Sequence, residues 1–206
     1  MQVVEVSQPA VDGVRTTPNP AELPFTLRRG LLDAPAAAAW FAHLQHAVAW
    51  QDHYDARGRR VALPRAQAWF ADRDVASRYS RNLLTRHDWT PGLSALKTSI
   101  EAVTGKGFNA LLLTCYRDGH DHVDLHADDD DELGPRPWIA SLSLGASRRF
   151  GFRRRDGADA AELPLHSGDL LLMPPRFQRD WLHGVPVAPD VRAARINLTF
   201  RRVCAT

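Results

Sequence analysis

Apolar side chains recur every three or four residues in two stretches of the chain and every second residue through most of its second half. Trp40, Phe41, Leu44 and Val48 form one helical stripe. Asp33 can cap that helix, and Pro35 falls in its first turn, where N–H groups lack intrahelical partners anyway. Leu93, Leu96, Ile100 and Val103 form a second stripe from about Pro91 to Val103, with Gly105 just past its end. From Phe108 onward the period drops to two. Leu111 to Tyr116, WIASLSLGASRRFGFRRR, ELPLHSGDLLLMPP, WLHGVPV and RINLTFRRV read as short strands. Turn residues separate them at Asp118-Gly119, Gly145-Ala146-Ser147, Ser167-Gly168 and Ala188 to Asp190. Many short strands broken by tight turns predict an α+β, mainly β, fold: a double-sheet jelly-roll core with the two helices packed outside. Phe25 to Leu32 reads as a further strand, and residues 1–22 as an extended N-terminal arm.

With 206 residues and 44% hydrophobic side chains, the chain suits one domain, from 23 to 206, with a sizeable core. The N-terminus lacks a basic start followed by an apolar run, and no stretch is long enough to span a membrane, so the expectation is a cytoplasmic protein with no membrane partner and no need to be more than a monomer. Cys115 and Cys204 are expected to be small buried hydrophobes in a reducing compartment. Charge changes the picture more. The net charge is +2, yet Arg57 to Trp89 holds eight Arg against three Asp, interleaved with Trp69, Phe70, Tyr79 and Trp89. Guanidinium groups neutralise phosphates and exposed rings stack on unpaired bases, so this segment points to nucleic acid. Arginine on solvated loops beside core aromatics has the same composition.

The last strand places Arg195, Asn197, Thr199 and Arg201 on one face and Ile196, Leu198 and Phe200 on the other. If the apolar face meets the helices, two guanidiniums look into the barrel, where an uncompensated charge costs several kcal/mol. Acidic side chains or an anionic ligand must compensate them, and a small dicarboxylate fits the guanidinium fork. An outward polar face forming surface ion pairs is the other reading. His126 and Asp128, two apart, can aim an imidazole and a carboxylate at one point, and His183 on another strand can complete a two-His, one-carboxylate facial triad. Such a triad leaves three positions on an octahedral ion for a bidentate 2-oxo acid and dioxygen. Spacing alone does not fix the register, because His120, His122 and Asp124 share the parity of His126.

Tyr-x-x-Gly-x-Asp-x-x-x-x-His-x-Asp from Tyr116 to Asp128, Trp-x-His at Trp181 to His183, and Arg-x-Asn-x-Thr-Phe-Arg from Arg195 to Arg201 together resemble the AlkB family of iron(II)- and 2-oxoglutarate-dependent dioxygenases. Leu63-Pro64-Arg65-Ala66-Gln67, Tyr79-Ser80 and Thr104 to Asn109 extend the resemblance to roughly residues 60–203, and it is closest to the nucleic-acid-repair branch. The resemblance implies a double-stranded β-helix core (about 108–203) with Fe(II) held by His126, Asp128 and His183. It implies that Arg201 pairs with the distal carboxylate of 2-oxoglutarate, that Arg195 lies near the other carboxylate, and that Thr114, Tyr116, Asn197 and Thr199 complete that site. Asp129 and Asp130 match positions that meet the target base. Pro64, Arg65, Gln67, Trp69, Tyr79 and Ser80 match lid segments over the nucleotide, within a lid region of about 50–90. Family members usually carry Asn where this chain has Thr114, and Gly is common where it has Arg81.

The implied activity is oxidative demethylation, with O2, of N-alkylated bases such as 1-methyladenine and 3-methylcytosine in DNA or RNA, releasing formaldehyde, succinate and CO2. Two alternatives stand beside it. The same oxygenase core could act on a protein or small molecule, or the barrel could be a catalytically silent nucleic-acid-binding module.

Overall fold

The computed structural model describes residues 23–56, 59–75, 78–79 and 84–204. The expected N-terminal arm, Ser80, Arg81 and the side chain of Tyr79 lie outside the described residues. In chain order the elements are β1 (Thr26–Arg28), α1 (Ala34–Ala47), β2 (Gln51–Ala56), β3 (Arg59–Ala71), β4 (Arg78–Tyr79), β5 (Leu84–His87), α2 (Pro91–Thr104), β6 (Ala110–Tyr116) and β7 (Val123–His126). There follow β8 (Ile139–Gly145), β9 (Arg148–Arg154), β10 (Ala160–Leu165), β11 (Leu170–Met173), α3 (Pro175–Asp180), β12 (Trp181–Val185) and β13 (Arg195–Arg201).

Strands β11, β8, β13 and β6 form the middle of a larger sheet that β1 extends at one end and β3 at the other, while β10, β9, β12 and β7 form a smaller one. Along the chain the eight strands from β6 to β13 pass back and forth between the two sheets, which is the double-stranded β-helix expected from the sequence. Gly145-Ala146-Ser147 and Ser167-Gly168 carry the chain from one sheet to the other, whereas β9 and β10 are a true hairpin.

Alternation along the strands builds two separate interiors. Leu111, Leu113, Leu142, Ile196, Leu198 and Phe200 point outward from the larger sheet and meet Leu44 of α1 and Leu93, Leu96 and Ile100 of α2 in one core. As the sequence predicts, Asp33 caps α1 by accepting from the Ala36 N–H and left-handed Gly105 closes α2; the α2 cap is Thr90, which accepts from the Leu93 N–H. Between the sheets, Phe25, Phe150, Phe152, Phe177, Ile139 and Leu171 fill one half with a second core. The other half is polar.

Four expectations are corrected here. The first strand is only Thr26–Arg28, because left-handed Gly30 turns the chain and Asp169 takes up the Gly30 N–H and the Arg29 guanidinium. A third helix, α3, precedes β12. The supposed lid includes a long stretch of framework: Ala66 to Ala71 of β3 pair with β6, and Trp69 is fully buried in the second core, where it cannot stack on a base. Cys204 is exposed, although Cys115 is buried as expected.

Gly119, in the turn after β6, is fixed by crowding. A Cβ there would lie 1.7 Å from the Ala188 carbonyl oxygen, and Gly119 exchanges backbone hydrogen bonds with Val191 and Ala188 at 2.7 and 2.8 Å. Gly119→Ala is therefore expected to destabilise the fold by more than about 2 kcal/mol, measured as a lower denaturant midpoint. An unchanged midpoint would refute this packing.

Candidate metal centre

The polar half of the barrel is built by strand parity. On β13 the residues between Ile196, Leu198 and Phe200 turn inward, on β6 Thr114 and Tyr116 do so, and on β8 Ser141 and Ser143 do so. Across from them, β7 pairs with β12 so that His126 stands directly opposite His183, with ring centroids 4.6 Å apart. Asp128 lies two residues beyond β7 and returns to the same point. Its Oδ1 is 3.9 Å from His126 Nε2 and its Oδ2 is 3.8 Å from His183 Nε2.

Each of the three residues offers a ligand atom, and these atoms all lie within 4.8 Å of one another. Among the described residues no other group of His, Cys, Asp and Glu does this. The rival ligands are thereby separated. His120 contacts Asp118 at an exposed turn, while His122 and Asp124 lie 4.0 Å apart and neither joins the cluster, although Asp124 borders the same cavity.

Electrostatics suit a cation. Burial pushes His183 down to about 3, helped by the nearby His126 charge, so at pH 7 its imidazole is neutral with a lone pair to donate. Burial raises the Asp128 pKa, but the Arg201 guanidinium, with smaller contributions from the two histidines, outweighs it and holds the carboxyl below its ordinary value. The donor set is thus two imidazoles and one ionised carboxylate on one side of a cavity. That is the facial set suited to a non-haem Fe(II) with open positions, so the residues present fit the metal.

The cavity measures about 370 Å³ and joins the triad to the inward face of β13. Of the residues singled out in the sequence, Arg65, Gln67, Thr114, Tyr116 and Asp130 line it, with Arg195, Asn197, Thr199 and Arg201. Pro64, Trp69 and Asp129 do not. Asp129 turns away and pairs with Arg155 at 2.6 Å, so of the Asp129-Asp130 pair only Asp130 lines the cavity, with Asp124 and the ligand Asp128. The expected base contact from Asp129 is corrected accordingly.

Of the two inward arginines, it is Arg201 that lies beside the cluster. Arg201 Nη2 is 3.3 Å from Asp128 Oδ1, beside the metal ligands. Arg195 sits at the other end of β13, its guanidinium 5.2 Å from the centre of the Tyr116 ring and its Nη2 donating to Ser143 Oγ (2.9 Å) and Asn197 Oδ1 (2.8 Å). Ser141 also donates to Asn197 Oδ1, and Asn197 Nδ2 donates to Thr199 Oγ1, so a chain of small polar groups orients this wall. Arg195 Nε and Nη1 are buried without a hydrogen-bond partner. No carboxylate among the described residues forms an ion pair with Arg195. The end of the cavity away from the three ligands therefore carries a buried guanidinium with no carboxylate partner among the described residues.

Sequence reasoning missed Ser141, Ser143 and Gln178. The two serines were legible as the inward parity of SLSLG. Gln178 was not, because it acts from α3, whose one sequence signal is the Pro174-Pro175 pair at its start.

The model of the 2OG-Fe(II) oxygenase superfamily matches residues 24–201. The DNA oxidative demethylase ALKBH2 of Mus musculus is 38% identical over 72% of this chain and 66% of its own length. The alpha-ketoglutarate-dependent dioxygenase alkB homolog 3 of Bos taurus is 39% identical over 84% of this chain and 64% of its own. This chain thus spans slightly less than two thirds of these two relatives. The solved structure of OsALKBH1 superposes with a TM-score of 0.62 at 20% identity, covering 87% of this chain and 98% of that one, and agrees in fold. Among the described residues no helix is long and apolar enough to cross a membrane. With the triad, the inward arginines and the jelly roll in place, the chain belongs to the 2OG-Fe(II) oxygenase superfamily as an AlkB-like member.

Proposed function

We propose that this chain is an Fe(II)- and 2-oxoglutarate-dependent oxygenase that demethylates N-alkylated bases of the 1-methyladenine and 3-methylcytosine type in DNA or RNA. The observation that carries it is one cavity holding a His-Asp-His cluster near one end of β13 and a buried arginine without an anionic partner at the other. Support for the substrate class comes from the relatives named as DNA oxidative demethylases and from the acidic Asp130 at the same cavity.

His126, Asp128 and His183 would hold the iron. Bound there with 2-oxoglutarate and dioxygen, it supplies the oxidation in which succinate and CO2 form and the N-methyl group gains an oxygen atom, to leave as formaldehyde. The protein's part is positioning. Arg195 offers its free fork edge to the distal carboxylate of 2-oxoglutarate, with Tyr116 beneath it. Arg201 keeps Asp128 ionised. Phe150 and Phe177 pack on the His183 ring at 5.5 Å and screen that side of the site from water. Asp130 is placed to accept from a base amine, and Arg65 and Gln67 form the wall nearest β3. The target base has to be unpaired or flipped out, at a cost of a few kcal/mol that alkylation of the pairing edge reduces.

The test is formaldehyde release from single-stranded oligonucleotides carrying 1-methyladenine or 3-methylcytosine. Release is expected only with Fe(II) and 2-oxoglutarate together. Decarboxylation of 2-oxoglutarate without formaldehyde from any methylated oligonucleotide would move the substrate to a protein or small molecule. Failure to bind iron stoichiometrically would make the barrel a silent binding module.

A further inference from the structure

Asp128 presents a problem of backbone support. Its carboxylate is pulled toward two imidazoles and toward Arg201, yet it lies beyond the end of β7, where the strand ladder no longer reaches its N–H. That buried N–H donates instead to the side-chain Oε1 of Gln178 at 2.9 Å, across fifty residues of sequence. Gln178 is 2% exposed, and its Nε2 lies 3.8 Å from Met173 Sδ. A donor on one side and a thioether on the other fix which way the amide faces.

Gln178 is itself held. Its backbone carbonyl accepts from Arg155 Nη2 at 3.2 Å, the same nitrogen reaches Asp129 Oδ2 at 2.6 Å, and the Arg155 N–H donates to the Asp180 carbonyl at 3.0 Å. The contacts close a ring that runs from Asp128 to Asp129, Arg155, Gln178 and back to Asp128. Asp129, turned from the cavity, thus has a structural task.

We infer that Gln178 is a positioning residue for the metal centre, holding the Asp128 peptide so that its carboxylate faces both histidines. The inference rests on His126, Asp128 and His183 being the metal ligands. Without the acceptor, a buried N–H is left unsatisfied in the irregular segment that carries the ligand, and the segment turns to find a partner. Outer partners of metal ligands commonly change metal affinity by 10- to 100-fold when removed.

The experiment is a titration of the metal-free full chain with Co(II), read by its visible ligand-field spectrum, for wild type, Gln178→Met and Gln178→Glu. Methionine keeps the length and removes the oxygen, whereas glutamate keeps an acceptor oxygen at the same reach. The Met variant is expected to bind Co(II) at least about tenfold more weakly with an altered spectrum, and the Glu variant to recover most of the affinity. Amide hydrogen exchange on the wild type gives a readout that needs no variant: the Asp128 N–H is expected to be protected although it lies outside any strand. An unchanged Met variant, a loss that Glu does not restore, or a rapidly exchanging Asp128 amide would each overturn the proposal. A wild type that binds no Co(II) would overturn it together with the metal centre on which it rests.

Discussion

His126→Ala is expected to abolish iron-dependent 2-oxoglutarate turnover while leaving the fold almost as stable as before. The side chain is 41% exposed and packs mainly on the His183 ring, so truncation costs about 1 kcal/mol or less. The metal loses one of three ligands, and the two left do not define a face. Asp128→Ala is expected to lose turnover and stability together. Asp128 is buried and is an anionic partner of Arg201, which is 4% exposed, so its removal takes a counter-charge from a buried guanidinium at a cost of up to about 3–5 kcal/mol. The two variants separate chemistry from folding. Turnover of 2-oxoglutarate and thermal melting, measured on both, give the comparison, and unchanged turnover in both would remove the site.

Much of this arrangement was legible in the sequence because it depends on parity. Alternation put Ile196, Leu198 and Phe200 on one face and Arg195, Asn197, Thr199 and Arg201 on the other, and the packing of the helices on the apolar face decides that the polar one looks inward. What parity does not contain is register between strands far apart in sequence. His126 stands opposite His183 because of how β7 and β12 pair, and that pairing is what excludes His120, His122 and Asp124. Nor could spacing say which arginine adjoins the metal ligands. The two lie on the same face, and only the position of Asp128 distinguishes them. Trp69 was misjudged for a different reason. Its neighbours Ala66 and Ala68 are small, so the period-two pattern of β3 is weak beside the arginine content of the segment. A six-residue helix such as α3 is too short to display a period at all, and the task of its Gln178 exists only through a contact fifty residues away.

With Arg195 proposed as the partner of the distal carboxylate, opposite signs are expected for binding and stability. Arg195 is 2% exposed, and burial together with the charge of Arg148 pushes its pKa below the usual arginine value. Its Nη2 has two neutral acceptors, Nε and Nη1 are buried without one, and the neighbouring Tyr116 hydroxyl only partly offsets the burial. A buried cation in that state weakens the empty protein and is compensated when a carboxylate arrives. Arg195→Met should therefore forfeit a two-point charged hydrogen bond to the distal carboxylate, about 3 kcal/mol or more, which raises the KM for 2-oxoglutarate by roughly a hundredfold. The same change should leave the ligand-free melting temperature unchanged or raise it, because Asn197 Oδ1 still accepts from Ser141 and no acidic partner is abandoned. Arg195→Lys keeps the charge without the planar fork and should fall between. Melting with Mn(II) in place of iron supplies a second reading: 2-oxoglutarate should raise the wild-type midpoint and have much less effect on the Met variant. A lower ligand-free midpoint with an unaltered KM would mean that Arg195 supports the barrel wall and that the diacid binds elsewhere.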